Sequence, residues 1–312
     1  MAVMQFEHVG DDLRLRFEAM ASRNEILVSC HDEARARAAL DAARREVLRI
    51  EAKYSRYRPD SVVSRINAAA GSAERVEVDG ETASLLEFAA RLFELSGGLF
   101  DITTGPLRHA WDFRAGIEPG DEALERVLPL VGWSQVDWDG RSVRLPRKGM
   151  ELDFGGIGKE YAADRAHAVL AQSGIGHGLV NLAGDLRVVG TPVTGRPWTI
   201  AIQHPRIADA TCASVLLEGG ALATSGDYER YFVTPDGRRC CHILHPRSGR
   251  PVAHWQSISV IQPSCAAAGA LATIAMLLGE DALPFLHEQG AAYLAVDPAG
   301  CLHRHDIDQP TF

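Results

Sequence analysis

Residues 153–164 read DFGGIGKEYAAD, and this stretch carries the strongest single prediction in the chain. Apolar and polar side chains alternate over residues 150–154, which predicts a strand, and the apolar spacing after residue 160 predicts a helix. Three glycines therefore fall at a strand-to-helix turn, where glycine lets the backbone adopt positive φ and approach a ligand closely. The helix N-terminus has free N–H groups and a partial positive charge, and Lys159 adds a cation, so the turn suits a phosphate. Its GGxG spacing differs from the dinucleotide-binding fingerprint GxGxxG.

The rest of the chain predicts long helices placed between runs of strands. We predict helices over residues 32–52, 81–96, 159–173 and 264–278 from their apolar spacing, with Asp32 as the N-cap of the first. We predict strands over residues 13–17, 24–29, 136–138, 142–145, 178–182, 186–190, 198–203, 213–217, 221–224, 230–234 and 291–296. The strands over residues 136–138 and 142–145 should form a hairpin around Asp139 and Gly140. Because strands and helices do not alternate regularly, we expect an α+β fold. No Pro/Ser-rich linker divides the 312 residues, so we expect a single domain over residues 1–312.

Composition and charge argue against several classes of protein. The chain is 46% hydrophobic, enough for a large core, and its net charge of −9 argues against a nucleic-acid partner. It has no run of eighteen apolar residues, so we expect no membrane span. We find no secretory signal or lipid-accepting cysteine near the N-terminus, and we expect a cytoplasmic protein. The six cysteines form no CxxC motif, which argues against zinc and predicts reduced thiols, with Cys240 and Cys241 on opposite faces of one strand.

Five further segments are dense in glycine, polar and aromatic residues. They are residues 55–61 (SRYRPDS), 100–107 (FDITTGPL), 181–185 (NLAGD), 223–228 (ATSGDY) and 242–249 (HILHPRSG). In this order and at these separations, together with residues 153–164, they resemble the FAD:protein FMN transferase family, also called the ApbE family. The resemblance runs from about Met20 to Gly279. It implies a T-fold-like, internally duplicated α+β architecture, although no repeat is visible in the sequence.

The resemblance also implies a chemistry. Members of the family move FMN from FAD to a Ser or Thr hydroxyl of a target protein and release AMP. We therefore expect a transferase that takes FAD as its substrate, uses Mg²⁺ and has a flavin-acceptor protein as its partner. Many family members look like exported lipoproteins, and this chain departs from them at its N-terminus.

By the same resemblance, eight side chains are candidates for the flavin site. We expect His242 to orient or deprotonate the acceptor hydroxyl, and Lys159 to contact the pyrophosphate. Tyr57 and Met20 suit the flavin ring, because an aromatic face and a thioether both pack well on it. The expected FAD-binding residues are Met20, Tyr57, Phe100, Asp101, Asp153, Lys159 and Leu244. Each also has an ordinary structural interpretation, as a turn residue, a solvated cation or a half-buried side chain.

The metal site that the resemblance implies lacks one side chain. Family members carry an Asp four residues before a Thr, and on one helix face the two hold a hard cation. Here Thr273 is present, Gly269 stands in place of the Asp, and the backbone oxygen of Gly156 is the other expected protein ligand. Because Asp has a somewhat better helix propensity than Gly, we expect the helix to tolerate Gly269→Asp.

Gly269 leaves three functions open. The chain is a transferase if another group, such as Asp185, Asp227 or the phosphate oxygens of FAD, completes the coordination of Mg²⁺. It is a flavin-binding protein without transferase activity if no group does so. It is an FAD pyrophosphatase if water replaces the protein hydroxyl.

Overall fold

A nine-stranded sheet forms the centre of the computed structural model, which describes residues 4–307. Both ends of the predicted domain, residues 1–3 and 308–312, lie outside the described residues. The strands are β1 (Gln5–Val9), β2 (Asp12–Ala19), β3 (Ser22–Val28), β4 (Val76–Glu77), β5 (Asp137–Trp138), β6 (Ser142–Arg144), β7 (Gly178–Leu182), β8 (Asp185–Val189), β9 (Trp198–Gln203), β10 (Thr211–Leu217), β11 (Ala221–Gly226), β12 (Tyr231–Val233), β13 (Arg239–Cys241), β14 (Ser257–Gln262), β15 (Ala292–Val296) and β16 (Leu302–His305). The sheet order is β1-β2-β3-β7-β8-β11-β14-β15-β16, and every neighbouring pair is antiparallel.

Helices lie within about two residues of the four predicted positions, and three shorter helices, over residues 62–68, 121–127 and 282–288, were not predicted. The helices are α1 (Glu33–Tyr54), α2 (Val62–Ala68), α3 (Gly80–Leu95), α4 (Asp121–Val127), α5 (Gly158–Gln172), α6 (Cys265–Leu278) and α7 (Ala282–Glu288). Asp32 caps α1 as predicted, because its side chain accepts a hydrogen bond from the Arg35 N–H. At α6, the Ser264 side chain accepts from the Ala267 N–H.

Helices and a hairpin cover the two faces of the sheet. On one face α1 packs on β2 and β3, α5 on β7 and β8, and α6 on β11 and β14. On the other face the β9–β10 hairpin buries Trp198, Ile200 and Val215 against the strands. An antiparallel sheet with helices packed on one face is an α+β fold, so the predicted class is confirmed. The internal duplication stays a prediction.

The predicted strand over residues 150–154 is wrong. Glu151 makes only an isolated bridge with Thr104, and the Leu152 N–H donates to the Asn67 side chain at 2.7 Å. Residue 153 donates its N–H to the Ile102 oxygen at 2.7 Å. Met150, Leu152 and Phe154 are buried as the alternation predicted. The alternation therefore reflects alternating burial in an extended segment. The backbone N–H groups of this segment donate to a side chain and to loop carbonyl oxygens, and not to a neighbouring strand.

One helical run among the described residues, Cys265–Glu288, is long and apolar enough to cross a membrane by length and composition. Its first helix, α6, packs against β11 and β14, and Ala268, Ala272 and Ala275 have no exposed surface. Packing in the core accounts for the apolar composition of α6. The absence of a membrane span stays a prediction.

The six cysteines are free thiols, as predicted. Cys240 and Cys241 are strand neighbours in β13, and their side chains enter different core clusters. Cys240 packs with Trp111, whereas Cys241 packs with Trp255. The predicted arrangement on opposite faces is confirmed.

Candidate active site

The glycine turn joins an extended segment to the N-terminus of α5. The Phe154 oxygen accepts from the Ile157 N–H at 3.0 Å and from the Gly158 N–H at 2.7 Å, which winds the chain into the helix. None of the three glycines has positive φ, so that part of the prediction is wrong. A Cβ on Gly156 would lie 3.2 Å from the Phe100 ring. This glycine is therefore needed for close approach, and it brings Phe100 against the turn.

Asp153 is held at the start of the turn by two partners. One carboxylate oxygen accepts from the Gly155 N–H at 2.9 Å, and the other forms an ion pair with Arg56. Arg56 also donates to the Tyr57 hydroxyl at 3.0 Å, and its guanidinium lies 5.0 Å from the centre of the Tyr57 ring. Tyr57 is 75% exposed, so its ring is available to a ligand. Sequence reasoning missed Arg56, although it precedes Tyr57 in one of the quoted segments.

Phe100 and Asp101 lie in the loop that follows α3. Asp101 is buried, and its carboxylate accepts from the Thr103 N–H at 2.8 Å, the Thr103 hydroxyl at 2.6 Å and the Trp133 N–H at 2.9 Å. Burial raises the pKa of Asp101 in spite of these hydrogen bonds. The structure thus gives Asp101 a loop-fixing role, and its predicted contact with FAD stays a prediction.

Met20 lies in the two-residue turn between β2 and β3. Both central residues, Met20 and Ala21, have positive φ, at 54° and 56°. Hairpins favour Asn-Gly at such positions, because other L-residues are strained there. The Met20 N–H donates to a Glu51 carboxylate oxygen at 2.7 Å, which ties the turn to α1. Strained backbone of this kind is often found at functional sites.

Lys159 pairs with Asp185 at the N-terminus of α5. The Lys159 Nζ lies 2.6 Å from the Asp185 Oδ2, and the Asp185 side chain is only 3% exposed. Burial by itself lowers the pKa of Lys159, but the Asp185 carboxylate outweighs it and the net pKa is raised. Lys159 therefore remains a cation, and 28% of its side chain is open to solvent and ligands.

His242 and Leu244 lie just after β13. His242 is exposed, and its backbone N–H donates to the Arg230 backbone oxygen at 3.0 Å. The pKa of its imidazole is lowered by the protein atoms around the ring and by the positive charges of Arg230 and Lys159. The imidazole is therefore neutral at pH 7 and able to accept a proton. Leu244 packs instead beside Trp111 and Cys240.

The two expected metal ligands lie near the facing parts of α5 and α6. The Thr273 hydroxyl is 2.8 Å from the Ser225 hydroxyl on β11. Gly156 lies immediately before Ile157, which is the N-cap residue of α5. In residues 4–307 no group of three or more His, Cys, Asp or Glu side chains is placed to hold a metal ion. Any cation here would depend on hydroxyl, backbone and water oxygens beside at most two carboxylates, as Mg²⁺ commonly does.

Glu160 is the residue that sequence reasoning missed most clearly. It lies in the first turn of α5, it is buried, and its Oε2 has no hydrogen-bond partner. Burial, with the nearby Asp185 carboxylate, raises the pKa of Glu160 well above its usual range. A Cβ on Gly269 would lie 2.5 Å from the Glu160 Cγ. The expectation that the helix tolerates Gly269→Asp is therefore wrong, because Glu160 already fills that space.

A cleft of about 650 Å³ lies apart from the glycine turn. Of the residues named from the sequence only Asp227 lines it, and its ionic groups largely pair with one another, as in the bidentate contact of Arg206 with Asp227 at 2.6 and 2.7 Å. Charges already paired in this way offer little to a phosphate. We therefore place the candidate site at the turn, not in this cleft.

The comparisons with known proteins match the chain over nearly its whole length. The model of the ApbE family matches residues 20–295. The chain belongs to the ApbE family. Among curated ApbE relatives, the FAD:protein FMN transferase of Vibrio cholerae serotype O1 is 34% identical over 235 residues, 73% of this chain and 70% of that protein. The Escherichia coli K12 protein of the same name is 30% identical over 257 residues, 79% of this chain and 73% of its own length.

Solved ApbE structures confirm the fold. The ApbE protein from Thermotoga maritima superposes with a TM-score of 0.87 at 33% identity, covering 98% of this chain and 100% of that one. The flavin transferase ApbE from Vibrio cholerae superposes with a TM-score of 0.85 at 27% identity, covering 99% and 100%. The predicted resemblance to the ApbE family is confirmed, whereas the roles of the individual side chains stay predictions.

Proposed function

We propose that this protein is an FAD:protein FMN transferase. The observation that carries the proposal is the family match over residues 20–295, with relatives of at least 30% identity that bear this name. FAD is the proposed substrate, and the proposed partner is a protein that presents a Ser or Thr hydroxyl. The structure supports the proposal with a cation, Lys159, at the N-terminus of α5, and with the exposed ring of Tyr57, which Arg56 links to Asp153 at the start of the same turn.

The reaction exchanges one phosphate bond for another. The acceptor hydroxyl oxygen attacks the phosphorus on the FMN side of the pyrophosphate and forms a phosphoester. The bond from that phosphorus to the oxygen bridging to AMP breaks, AMP leaves with the bridging oxygen, and the hydroxyl proton is removed. Such a direct transfer depends on positioning the reactants and on stabilising negative charge, because the enzyme itself forms no covalent bond to the FMN group.

The chain supplies groups for each requirement. Lys159 and the first N–H groups of α5 would hold pyrophosphate oxygens, which are favourable at a helix N-terminus. The Tyr57 ring would stack on the flavin ring. Arg56 would hold the Tyr57 ring in place through its hydrogen bond to the Tyr57 hydroxyl. His242, neutral at pH 7, would take the proton from the acceptor hydroxyl.

We also propose a Mg²⁺ ion, held by the Thr273 hydroxyl and the Gly156 backbone oxygen. The donors fit the ion, because both are hard oxygens and Mg²⁺ keeps several waters when few protein groups bind it. When bound, the ion would neutralise charge that develops on the phosphate oxygens. The Ser225 hydroxyl, 2.8 Å from that of Thr273, would orient Thr273. The cytoplasmic location remains part of the proposal.

One product analysis tests the proposal against both alternatives. The protein is incubated with FAD, MgCl₂ and an acceptor peptide that has one Ser or Thr, and the products are separated by chromatography. A transferase gives flavinylated peptide and AMP in equal amounts. Free FMN with AMP would indicate a pyrophosphatase, and unchanged FAD that co-elutes with the protein would indicate a flavin-binding protein. A peptide in which Ala replaces the Ser or Thr is the control.

A further inference from the structure

Helices α5 and α6 pack closely where Glu160 of α5 meets Gly269 of α6. Gly269 has no side chain, and the room beside it is filled by the Glu160 side chain. A Cβ built on Gly269 would lie 2.5 Å from the Cγ and 3.0 Å from both the Cδ and the Oε1 of Glu160. The carboxylate of Glu160 thus reaches the face of α6 on which a carboxylate from residue 269 itself would lie.

The same contact brings Glu160 to the face of α6 that carries Thr273. Gly269 and Thr273 are four residues apart on α6, so they share one face of the helix and are separated by one turn. The Thr273 hydroxyl is hydrogen-bonded to Ser225, which is the neighbour of Thr224 on β11, and the Thr224 N–H donates to Asp185 at 3.3 Å. Oxygen donors from α5, α6, β8 and β11 therefore converge on one small region.

Glu160 brings a second acidic side chain into a buried region that already holds Asp185. Only 7% of the residue is exposed, and its Oε2 is buried without a hydrogen-bond partner. A buried carboxylate oxygen in that state is costly, and such groups are commonly paired or bound to a metal. The neighbouring cation Lys159 forms its ion pair with Asp185, and the Glu160 carboxyl group lies within hydrogen-bonding reach of the same Asp185 side chain. The orphan oxygen therefore points to a ligand.

We propose that Glu160 supplies the carboxylate ligand that α6 lacks at residue 269. In this chain the carboxylate of the divalent-cation site comes from α5, and Gly269 on α6 provides the space for it. The inference rests on the proposed use of Mg²⁺ and adds Glu160 to Thr273 and the Gly156 oxygen as a ligand. These three hard oxygens, together with water and substrate phosphate, would supply the kind of ligands that Mg²⁺ prefers.

Direct measurement of metal binding tests this assignment without any flavin transfer. Mn²⁺, a paramagnetic substitute for Mg²⁺, is titrated into the full-length protein with and without FAD, and free Mn²⁺ is followed by electron paramagnetic resonance. Glu160→Gln keeps the shape of the side chain and removes its charge, and we expect it to weaken Mn²⁺ binding at least about tenfold. Glu46→Gln is the matched control, because Glu46 pairs with Arg49 and Arg165 instead, and we expect it to bind as wild type does.

Moving the carboxylate back to α6 gives a second, independent readout. Glu160→Ala should lose Mn²⁺ binding, and Glu160→Ala combined with Gly269→Asp should recover it, because the new carboxylate then occupies the vacated space. Recovery in the double variant supports the assignment even if one single variant folds poorly.

Two results would overturn the assignment: a folded Glu160→Gln protein that binds Mn²⁺ like wild type, or wild type that binds no Mn²⁺ with or without FAD. The proposed function is tested separately. Mn²⁺ binding that depends on Glu160, without any flavinylated product, would overturn the transferase and leave the ligand assignment standing. Mg²⁺-dependent transfer that is equal in wild type and Glu160→Gln would do the reverse.

Discussion

Gly269 on α6 lies against Glu160 on α5 so closely that a single added methyl group would approach the Glu160 Cγ to 2.5 Å. The glycine is therefore explained by its neighbour, since glycine inside a helix costs about 1 kcal/mol relative to alanine. The two positions form one unit that no local reading of either helix would reveal.

This unit predicts that the effect of Gly269→Ala changes sign with its background. In wild type the substitution should lower the free energy of unfolding by about 1–3 kcal/mol, because overpacking outweighs the gain in helix propensity. In a Glu160→Ala background the same substitution should raise it by about 0.5–1 kcal/mol. Urea denaturation of the four proteins gives the coupling. Equal effects in both backgrounds would show that the two residues do not share the space.

The strained turn between β2 and β3 predicts a stabilising substitution. Ala21 has φ of 56°, so Ala21→Gly should raise the free energy of unfolding by about 0.5–1 kcal/mol after allowance for the more flexible unfolded chain. Ala42→Gly, inside α1, is the control and should lower it by about 1 kcal/mol. Thermal or urea unfolding measures both, and a destabilised Ala21→Gly protein would contradict the strain.

The pair between Lys159 and Asp185 predicts two separable effects of Lys159→Ala. Stability should fall by about 3 kcal/mol, because Asp185 is left buried without its cation. The addition of Asp185→Asn should restore most of that loss. FAD binding should weaken by about 1.5–3 kcal/mol in both variants, since a charge-assisted phosphate contact is missing.

Riboflavin provides the matched ligand for this test, because it has no phosphate. Equilibrium dialysis should show that wild type binds FAD more tightly than riboflavin and that Lys159→Ala leaves riboflavin binding unchanged. If Lys159→Ala binds FAD as wild type does, Lys159 serves only to pair with Asp185.

The ion-pair network around Glu81 predicts a pH-dependent stability. Glu81 joins three helices through Arg49 at 2.7 Å, Lys53 at 2.6 Å and the Tyr161 hydroxyl at 2.9 Å. Hydrogen bonding to Arg49, opposed by burial and aided by Lys53 and Tyr161, lowers the pKa of Glu81 to about 2. Because the folded pKa lies below the unfolded value of about 4.3, this stabilisation is present above pH 4.3 and is lost as the pH falls toward 2.

Glu81→Gln should accordingly destabilise the protein by about 1–2 kcal/mol at pH 7 and by progressively less below pH 4.3. Glu87→Gln is the control, because Glu87 is exposed and forms a surface ion pair with Arg91, and its effect should stay within about 0.5 kcal/mol. Urea titrations at a series of pH values measure the difference. A difference that stays constant down to pH 2 would contradict the lowered pKa.

Much of the fold followed from local patterns in the sequence. The N-cap at Asp32, the α6 start at Ser264 and the hairpin around Gly140 needed only capping and turn chemistry. The strand predicted over residues 150–154 failed because alternation reports burial, and pairing depends on partners far along the chain.

The candidate site was predicted from single segments. Lys159 was named because it follows the glycine turn, and Tyr57 and Asp153 were named from the family resemblance; their roles stay predictions. Glu160 was missed because a first-turn glutamate is ordinary helix chemistry, and its meaning depends on Gly269, more than one hundred residues away. Asp101 was predicted to contact FAD, yet its carboxylate accepts hydrogen bonds from loop N–H groups that only the folded structure reveals.

The intact mass of a candidate acceptor protein tests the central claim most directly. The acceptor is incubated with FAD, Mg²⁺ and the wild-type enzyme, and its mass is then measured by electrospray mass spectrometry. We predict a gain of one FMN less one water, located by peptide mapping to a Ser or Thr and absent when that residue is replaced by Ala. An acceptor mass that stays unchanged while FAD is bound or hydrolysed would contradict the transferase.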